Sequence, residues 1–190
     1  MNILFLHGMA EGHLSHIAGY IQKHMPDDRV ITPDLVINPD ESFHIIDEIL
    51  KDNKIDVVVG HSLGGFMAQK YRTMRKVLIN PSLGMSYGYL CRFPLKYKYE
   101  RYDGLTHFQF TTDDCRKYKS MEAVEFDNIT EDERNHTIGL FGRCDILTRL
   151  SAHRFKKYYS QRTIIPGTHF PTEEVVKKFI VKVIRDIATK

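Results

Sequence analysis

The sequence predicts an α/β protein, a three-layer sandwich with a mainly parallel six-stranded sheet and a small cap insertion. Three observations carry that prediction. Short aliphatic or β-branched runs alternate with segments of helical apolar spacing through most of the 190 residues, the pattern of a parallel sheet covered on both faces. The run Val57-Val58-Val59 stops at Gly60-His61-Ser62-Leu63-Gly64-Gly65, and a helical pattern follows at once. A hydrophobic content of 42% and a charged content of 27% are ordinary for a globular chain, and the length suits one domain with a real core.

Taken in order, Asn2 to Leu6 reads as a buried strand ending at His7-Gly8. Leu14, Ile17, Ala18, Ile21 and Met25 recur at helical spacing, and Pro26 closes that helix. Arg29 to Leu35 is a second strand, broken by Pro33. Asp40 is expected to cap a helix through about Asp52, with Phe43, Ile46, Ile49 and Leu50 on its apolar face. After the Ser62 strand, a helix is expected to about Arg75, then a fourth strand from Lys76 to Pro81. From about Ser82 to Asn135 the alternation stops. It resumes with a strand at His136 to Gly142, a helix at Thr148 to Tyr159 and a last strand at Gln161 to Gly167. Thr172 opens the final helix, whose stripe is Val175, Val176, Phe179, Ile180, Val183, Ile184 and Ile187. That stripe reads as core packing.

Several function classes are disfavoured. Net charge is +3, too small to argue for nucleic acid as the main partner. Three widely spaced cysteines, Cys91, Cys115 and Cys144, suggest reduced thiols in a cytoplasm rather than a disulfide framework. The N-terminal apolar run is short and has no basic residues ahead of it, so neither a signal peptide nor a membrane partner is expected.

The chemistry is concentrated around Ser62. A serine on a sharp strand-to-helix turn holds its hydroxyl clear of the sheet. Gly60 and Gly64, two residues to either side, leave room for backbones that pass close. Serine is a poor nucleophile at neutral pH and needs a base, and the base needs an orienting group. In parallel sheets reactive groups gather at the C-terminal ends of the strands. That rule picks His169, in Pro166-Gly167-Thr168-His169, as the base, and Asp145, just past Phe141-Gly142, as the acid. Asp34 is the nearest rival to Asp145, which can equally cap the helix starting near Thr148. Asp56 precedes its strand, and Asp103 lies in the irregular stretch. An oxyanion needs donors, and the backbone N–H groups of Leu63 and of Met9 are the candidates. His7 reads as a residue that holds the loop after the first strand. His13 and His16, three apart on one helix, lack a third metal ligand, so no metal is expected.

The order Ser62, Asp145, His169, together with Leu6-His7-Gly8, Gly60 to Gly65, Gly142 to Asp145 and Gly167-Thr168-His169, resembles the α/β-hydrolase superfamily over nearly the whole chain. The small size and the start at the His-Gly strand look like the YqiA-like bacterial esterases, which Leu78 to Ser82 and Tyr99 to Tyr102 echo more loosely. The resemblance implies a compact hydrolase lacking the first two strands of the full sheet. It also implies activity on acyl esters or acyl-CoA thioesters, with no metal or organic cofactor.

The irregular stretch, about 83–134, is expected to form a cap. Its aromatic residues, Tyr87, Tyr89, Phe93, Tyr97 and Tyr99 among them, suit a pocket wall. Arg92, Lys96, Lys98 and Arg101 are interleaved, either as a solvated basic face or as contacts to an anionic part of a substrate. The leading expectation is a serine esterase or thioesterase for small or medium acyl groups. A carbon–carbon bond or amide hydrolase on the same frame, or a binding protein that kept the fold, are the alternatives.

Overall fold

Six strands form one parallel sheet in the order β2-β1-β3-β4-β7-β8. They are β1 (Asn2–Leu6), β2 (Arg29–Ile31), β3 (Val57–His61), β4 (Lys76–Ile79), β7 (Thr137–Gly142) and β8 (Arg162–Ile165). A separate two-stranded antiparallel ribbon pairs β5 (Tyr99–Glu100) with β6 (His107–Phe108). The computed structural model describes residues 1–9, 11–84, 99–100, 107–108 and 111–189. Within it the three-layer sandwich expected from the alternation is present.

The strands bury both faces because apolar residues fill both sets of alternate positions. Ile3, Phe5, Val57, Val59, Val77 and Ile79 meet α1 (His16–His24) and the C-terminal helix α7 (Glu173–Ala188). Leu4, Leu6, Val58 and Leu78 face the opposite layer. That layer holds α2 (Pro39–Asp52), α3 (Leu63–Met67, extended by a 3₁₀ turn to Lys70), α4 (Thr112–Val124) and α6 (Arg149–Tyr158). A period-two pattern that is apolar on both sides belongs to a strand between two helical layers.

The chain enters at β1, steps out to the edge at β2, returns to β3 on the other side of β1, and then moves outward through β4, β7 and β8. The direction of winding reverses between β1 and β3, and such a switch point opens a crevice at the strands' C-terminal ends. Ser62 and the loop after β1 lie there.

Several boundaries differ from the sequence reading. β2 stops at Ile31, two residues before Pro33. Helix α2 is capped by Asn38, whose side chain accepts from the N–H groups of Asp40 and Glu41, so Asp40 sits inside the first turn. The helix after Ser62 ends at Lys70 rather than near Arg75, where Lys70 and Tyr71 are held by Asp47 of α2 at 3.1 and 2.8 Å. His13 lies in the turn before α1 and not on the helix with His16. In α7 a π turn at Val176–Ile180 adds a residue to one turn and rotates the buried face. Val181 therefore joins the core while Phe179 is 36% exposed. Cys115 is disulfide-bonded, against the expectation of reduced thiols, while Cys144 is free and exposed.

Part of the stretch expected to form a cap is described. Helix α4 opens with a capping box of Thr111 and Asp114, and sends Tyr118 into the core, where its hydroxyl donates to the Ile37 carbonyl at 2.8 Å. Helix α5 (Glu131–Asn135) follows. Its Glu133 meets the fully buried Lys76 of β4 at 2.7 Å and accepts from the Tyr159 hydroxyl at 3.0 Å. Burial lowers the Lys76 ammonium pKa against the pull of Glu133. Arg92, Lys96, Lys98, Arg101 and the aromatic residues set among them lie outside the described residues, or have only their backbone described.

Two glycine substitutions separate close packing from helix propensity. A Cβ on Gly64 would lie 2.0 Å from the Leu6 carbonyl oxygen, backbone that cannot swing aside, whereas one on Gly19 of α1 would meet nothing within 4 Å. Gly64→Ala is expected to destabilise by more than about 3 kcal/mol. Gly19→Ala should stabilise by about 0.5–1 kcal/mol. Urea midpoints of the two variants against the parent check both signs.

Candidate functional site

Ser62 follows β3 with φ 51° and ψ −115°, a left-handed backbone that a residue with a side chain adopts only under constraint. The constraint comes from both sides. The Ser62 N–H donates to the Ile79 carbonyl at 3.0 Å, and its own carbonyl accepts from Ser82 and Phe66 at 3.0 and 3.2 Å. A Cβ on Gly60 would sit 2.7 Å from the Gly64 carbonyl oxygen, so the turn closes only without side chains there.

The Ser62 hydroxyl lies 3.0 Å from His169 Nε2. His169 Nδ1 in turn lies 2.9 Å from Asp145 Oδ2. The structure thus brings Ser62 of the glycine-flanked turn together with the two side chains chosen by strand-end position. Asp145 follows β7 and His169 follows β8, neighbouring strands that deliver both loops to one edge.

Asp145 also holds its own turn. It accepts from the Leu147 N–H at 2.8 Å, the Thr148 N–H at 3.3 Å and the Thr148 hydroxyl at 2.5 Å. The two readings of this residue, cap and partner of His169, coexist because a carboxylate has two oxygens and about four acceptor sites. Burial pushes its carboxyl up, but the hydrogen bonds from His169 and Thr148 outweigh that and hold it at about 2. Asp34, the rival acid, is half exposed and lies 4.0 Å from His7 Nε2. Asp56 accepts from the Asn2 N–H at the opposite edge.

The loop after β1 passes beside the serine. A Cβ on Gly8 would be 3.3 Å from Ser62 Cβ. His7 ties this loop down: its Nδ1–H donates to the Gly8 carbonyl at 2.7 Å, and its Nε2 accepts the Leu35 N–H at 2.9 Å. Met9 comes next in the chain, and Leu63 opens α3 directly after the serine.

Four residues at this edge were not singled out from the sequence. Ser82 places its hydroxyl 3.2 Å from Ser62 Oγ. Asn80, at φ 43°, accepts the Gly142 N–H at 2.7 Å and donates to the carbonyls of Thr168 and His169 at 3.1 and 2.8 Å. It bridges the ends of three strands. His61 and Glu11 form a buried pair, with His61 Nδ1 2.5 Å from Glu11 Oε1, and His61 Nε2 lies 3.0 Å from the His169 carbonyl oxygen. Burial pushes the Glu11 carboxyl up, but the hydrogen bond and charge of His61, with the Ser15 hydroxyl, outweigh it and hold Glu11 at about 2. Asn80 and Ser82 stand at a strand's C-terminal end, where the strand-edge rule could have found them; Glu11 carries no such signal.

A cavity of about 520 Å³ adjoins the site, lined by Glu11, Ile17, Tyr20, Phe170 and Pro171 among others. Among the described residues no group of three or more His, Cys, Asp or Glu side chains is placed to hold a metal, and no helix is long and apolar enough to cross a membrane.

The fold has counterparts among known proteins. The chain is similar in structure to a monoacylglycerol lipase from Paleococcus ferrophilus, with TM-score 0.68 and 17% identity over 99% of this chain and 94% of that one. It is similar to a methylesterase from Arabidopsis, at 0.66 and 11%, covering 100% of both chains. It is also similar to mouse alpha/beta hydrolase domain-containing protein 10, at 0.70 and 12%, over 99% of this chain and 89% of that one. No curated protein sequence matches the chain. Residues 2–123 match the profile of the Uncharacterised protein family UPF0227. The chain therefore belongs to the family UPF0227, and its fold is that of the α/β-hydrolases, as the resemblance in its motifs implied.

Proposed function

We propose that the chain is a serine hydrolase of small or medium acyl esters, with thioesters as a second substrate class. The observation that carries this reading is the unbroken path from Asp145 through His169 to Ser62, at 2.9 and 3.0 Å. The similar structures include a lipase and a methylesterase, which act on esters and favour that bond type over an amide.

In the proposed reaction the Ser62 hydroxyl gives its proton to His169 Nε2 as Oγ attacks the acyl carbonyl carbon. Asp145, ionised at neutral pH, keeps Nδ1–H directed at itself and stabilises the imidazolium. The Met9 and Leu63 N–H groups hold the oxyanion, where preorganised donors are worth most. The Ser82 hydroxyl can donate to Ser62 Oγ while the Ser62 proton is committed to His169. Collapse breaks the bond to the leaving alcohol or thiol, which takes the proton from His169 Nε2. Water then attacks the acyl-serine, His169 receives its proton and returns it to Ser62 Oγ, and the carboxylic acid leaves.

Of the stretch at about 83–134, the part before α4 is proposed as the cap bounding the acyl site, since α4 packs into the helical layer and α5 joins the start of β4 at the far edge. A cap of that size encloses a modest acyl group rather than a polymer.

Ser62→Ala is expected to lower kcat on an activated ester by about a millionfold while the fold is kept. His169→Ala should cost nearly as much, and the double variant little more, because the residues act as a unit. Asp145→Asn should cost about 10⁴-fold. Wild-type turnover by purified, folded Ser62→Ala would end this reading, and a greater loss from Asp34→Asn than from Asp145→Asn would move the acid.

Stability should depend on pH through the same carboxylates. Asp145 and Glu11 fall from ordinary values of 3.8 and 4.5 to about 2 in the folded chain. A depressed folded pKa contributes stability that is present above the unfolded value and lost as pH falls through the folded one. The contribution of these two carboxylates to Tm should therefore be constant above about pH 5 and be lost between there and pH 2. Glu11→Gln should flatten part of that drop in a thermal scan across the range.

Contact between the basic stretch and substrate has its own readout. If Arg92, Lys96, Lys98 or Arg101 meets a phosphate-bearing leaving group, an acyl-CoA should outperform a neutral ester of the same acyl chain, and the advantage should shrink with salt. Equal kcat/KM ratios at two ionic strengths would leave those residues a solvated face.

A further inference from the structure

We propose that His61, oriented by Glu11, is a positioning residue that holds the His169 loop in its working place through the His169 backbone carbonyl. The inference rests on reading Ser62, His169 and Asp145 as one catalytic unit, and adds to it a second carboxylate–imidazole pair with a mechanical task.

The geometry determines which atoms donate. A carbonyl oxygen carries no hydrogen, so the His61 Nε2 that lies 3.0 Å from the His169 carbonyl must donate. Nδ1 lies 2.5 Å from Glu11 Oε1, so one hydrogen bond joins it to that carboxyl. Both ring nitrogens are thus engaged, and the ring can neither flip nor tilt without losing a bond in a fully buried site. Glu11 is itself fixed: the Ser15 hydroxyl bonds its other oxygen, and Ser15 stands at the start of α1. A rigid line therefore runs from α1 through Glu11 and His61 to the backbone of His169.

That line matters because His169 stands in a loop and not in a strand or helix. Its side chain must keep Nε2 on Ser62 and Nδ1 on Asp145 at once. The carbonyl of the same residue accepts from His61 Nε2 and from Asn80 Nδ2 at 2.8 Å. Two donors on one oxygen fix the peptide plane, and with it the direction in which the imidazole leaves the backbone. The His61 and His169 rings lie 4.9 Å apart, and Phe170 packs against both at 5.4 and 5.1 Å, so the pair also walls the side of the base. Supporting groups of this kind are worth about 10–100-fold in activity where they have been removed around metal ligands, and a base displaced by about 1 Å loses on the same order.

The test compares His61→Leu with His61→Gln, whose amide nitrogen can reach where Nε2 stood. Three quantities are read on folded protein: kcat and KM on an activated ester, the rate of labelling by a fluorophosphonate probe, and the low-field proton resonance of His169 Nδ1–H on Asp145, assigned by its loss in His169→Gln. His61→Leu should lower kcat and labelling by about 10–100-fold, leave KM within about twofold, and broaden or abolish the resonance. His61→Gln should recover most of each. Glu11→Ala, which frees the ring but keeps it, should change them in the same direction by less, and serves if His61→Leu does not fold. A folded His61→Leu enzyme with parental kcat and an intact resonance overturns the proposal, and so does a His61→Gln variant as impaired as His61→Leu. Should the parent neither hydrolyse the ester nor take the probe, the catalytic reading fails by itself. The resonance then decides positioning alone: loss in Leu with return in Gln supports it, and persistence in Leu overturns it.

Discussion

Close approach of backbone to backbone after β3 governs the rest of the molecule. Gly64 passes so near the Leu6 carbonyl that even a methyl group has no place, and Gly60 meets Gly64 and Gly65 in the same way. This is what lets α3 leave the sheet within one residue of β3 and forces Ser62 into the left-handed region. A strained residue costs on the order of 1–3 kcal/mol and survives only where its surroundings over-determine it. Here β1, β3 and β4, buried on both faces, supply that determination.

From this point outward the C-terminal edge is built of polar groups that hold loops. Asn80 ties the end of β4 to the end of β7 and to the turn before His169. His7 ties the β1 loop to the segment after β2. Asp145 closes its own turn while it receives His169 Nδ1–H. Each is a buried polar side chain that bonds backbone groups of the loops at this edge. Such bonds place segments that no strand ladder or helix could place.

The opposite edge shows the same chemistry with a different outcome. Lys76 and Glu133 form a buried ion pair joined by Tyr159, with Arg72 at 3.2 Å. That network ties α5 to the start of β4. Buried charge marks both edges, so charge by itself does not identify the site; the strand direction and the winding switch between β1 and β3 do.

The sequence by itself determined the sheet, its two covering layers and the three side chains of the candidate site. Those features follow from local pattern: doubly apolar strands, the glycine spacing around Ser62, and the rule that strand ends collect reactive groups. It misjudged features decided by neighbours distant in the chain. Helix α3 stops early, at Lys70, where Asp47 of α2 bonds Lys70 and Tyr71. Phe179 leaves the predicted stripe because a π turn rotates the last helix. Glu11 could not be read at all, since a lone acid in a glycine-bearing loop has no periodicity and no motif. Its meaning comes from a contact with His61 across 50 residues. Only the tertiary structure decided that pairing, because a buried hydrogen bond between separate segments depends on where the fold sets each one down.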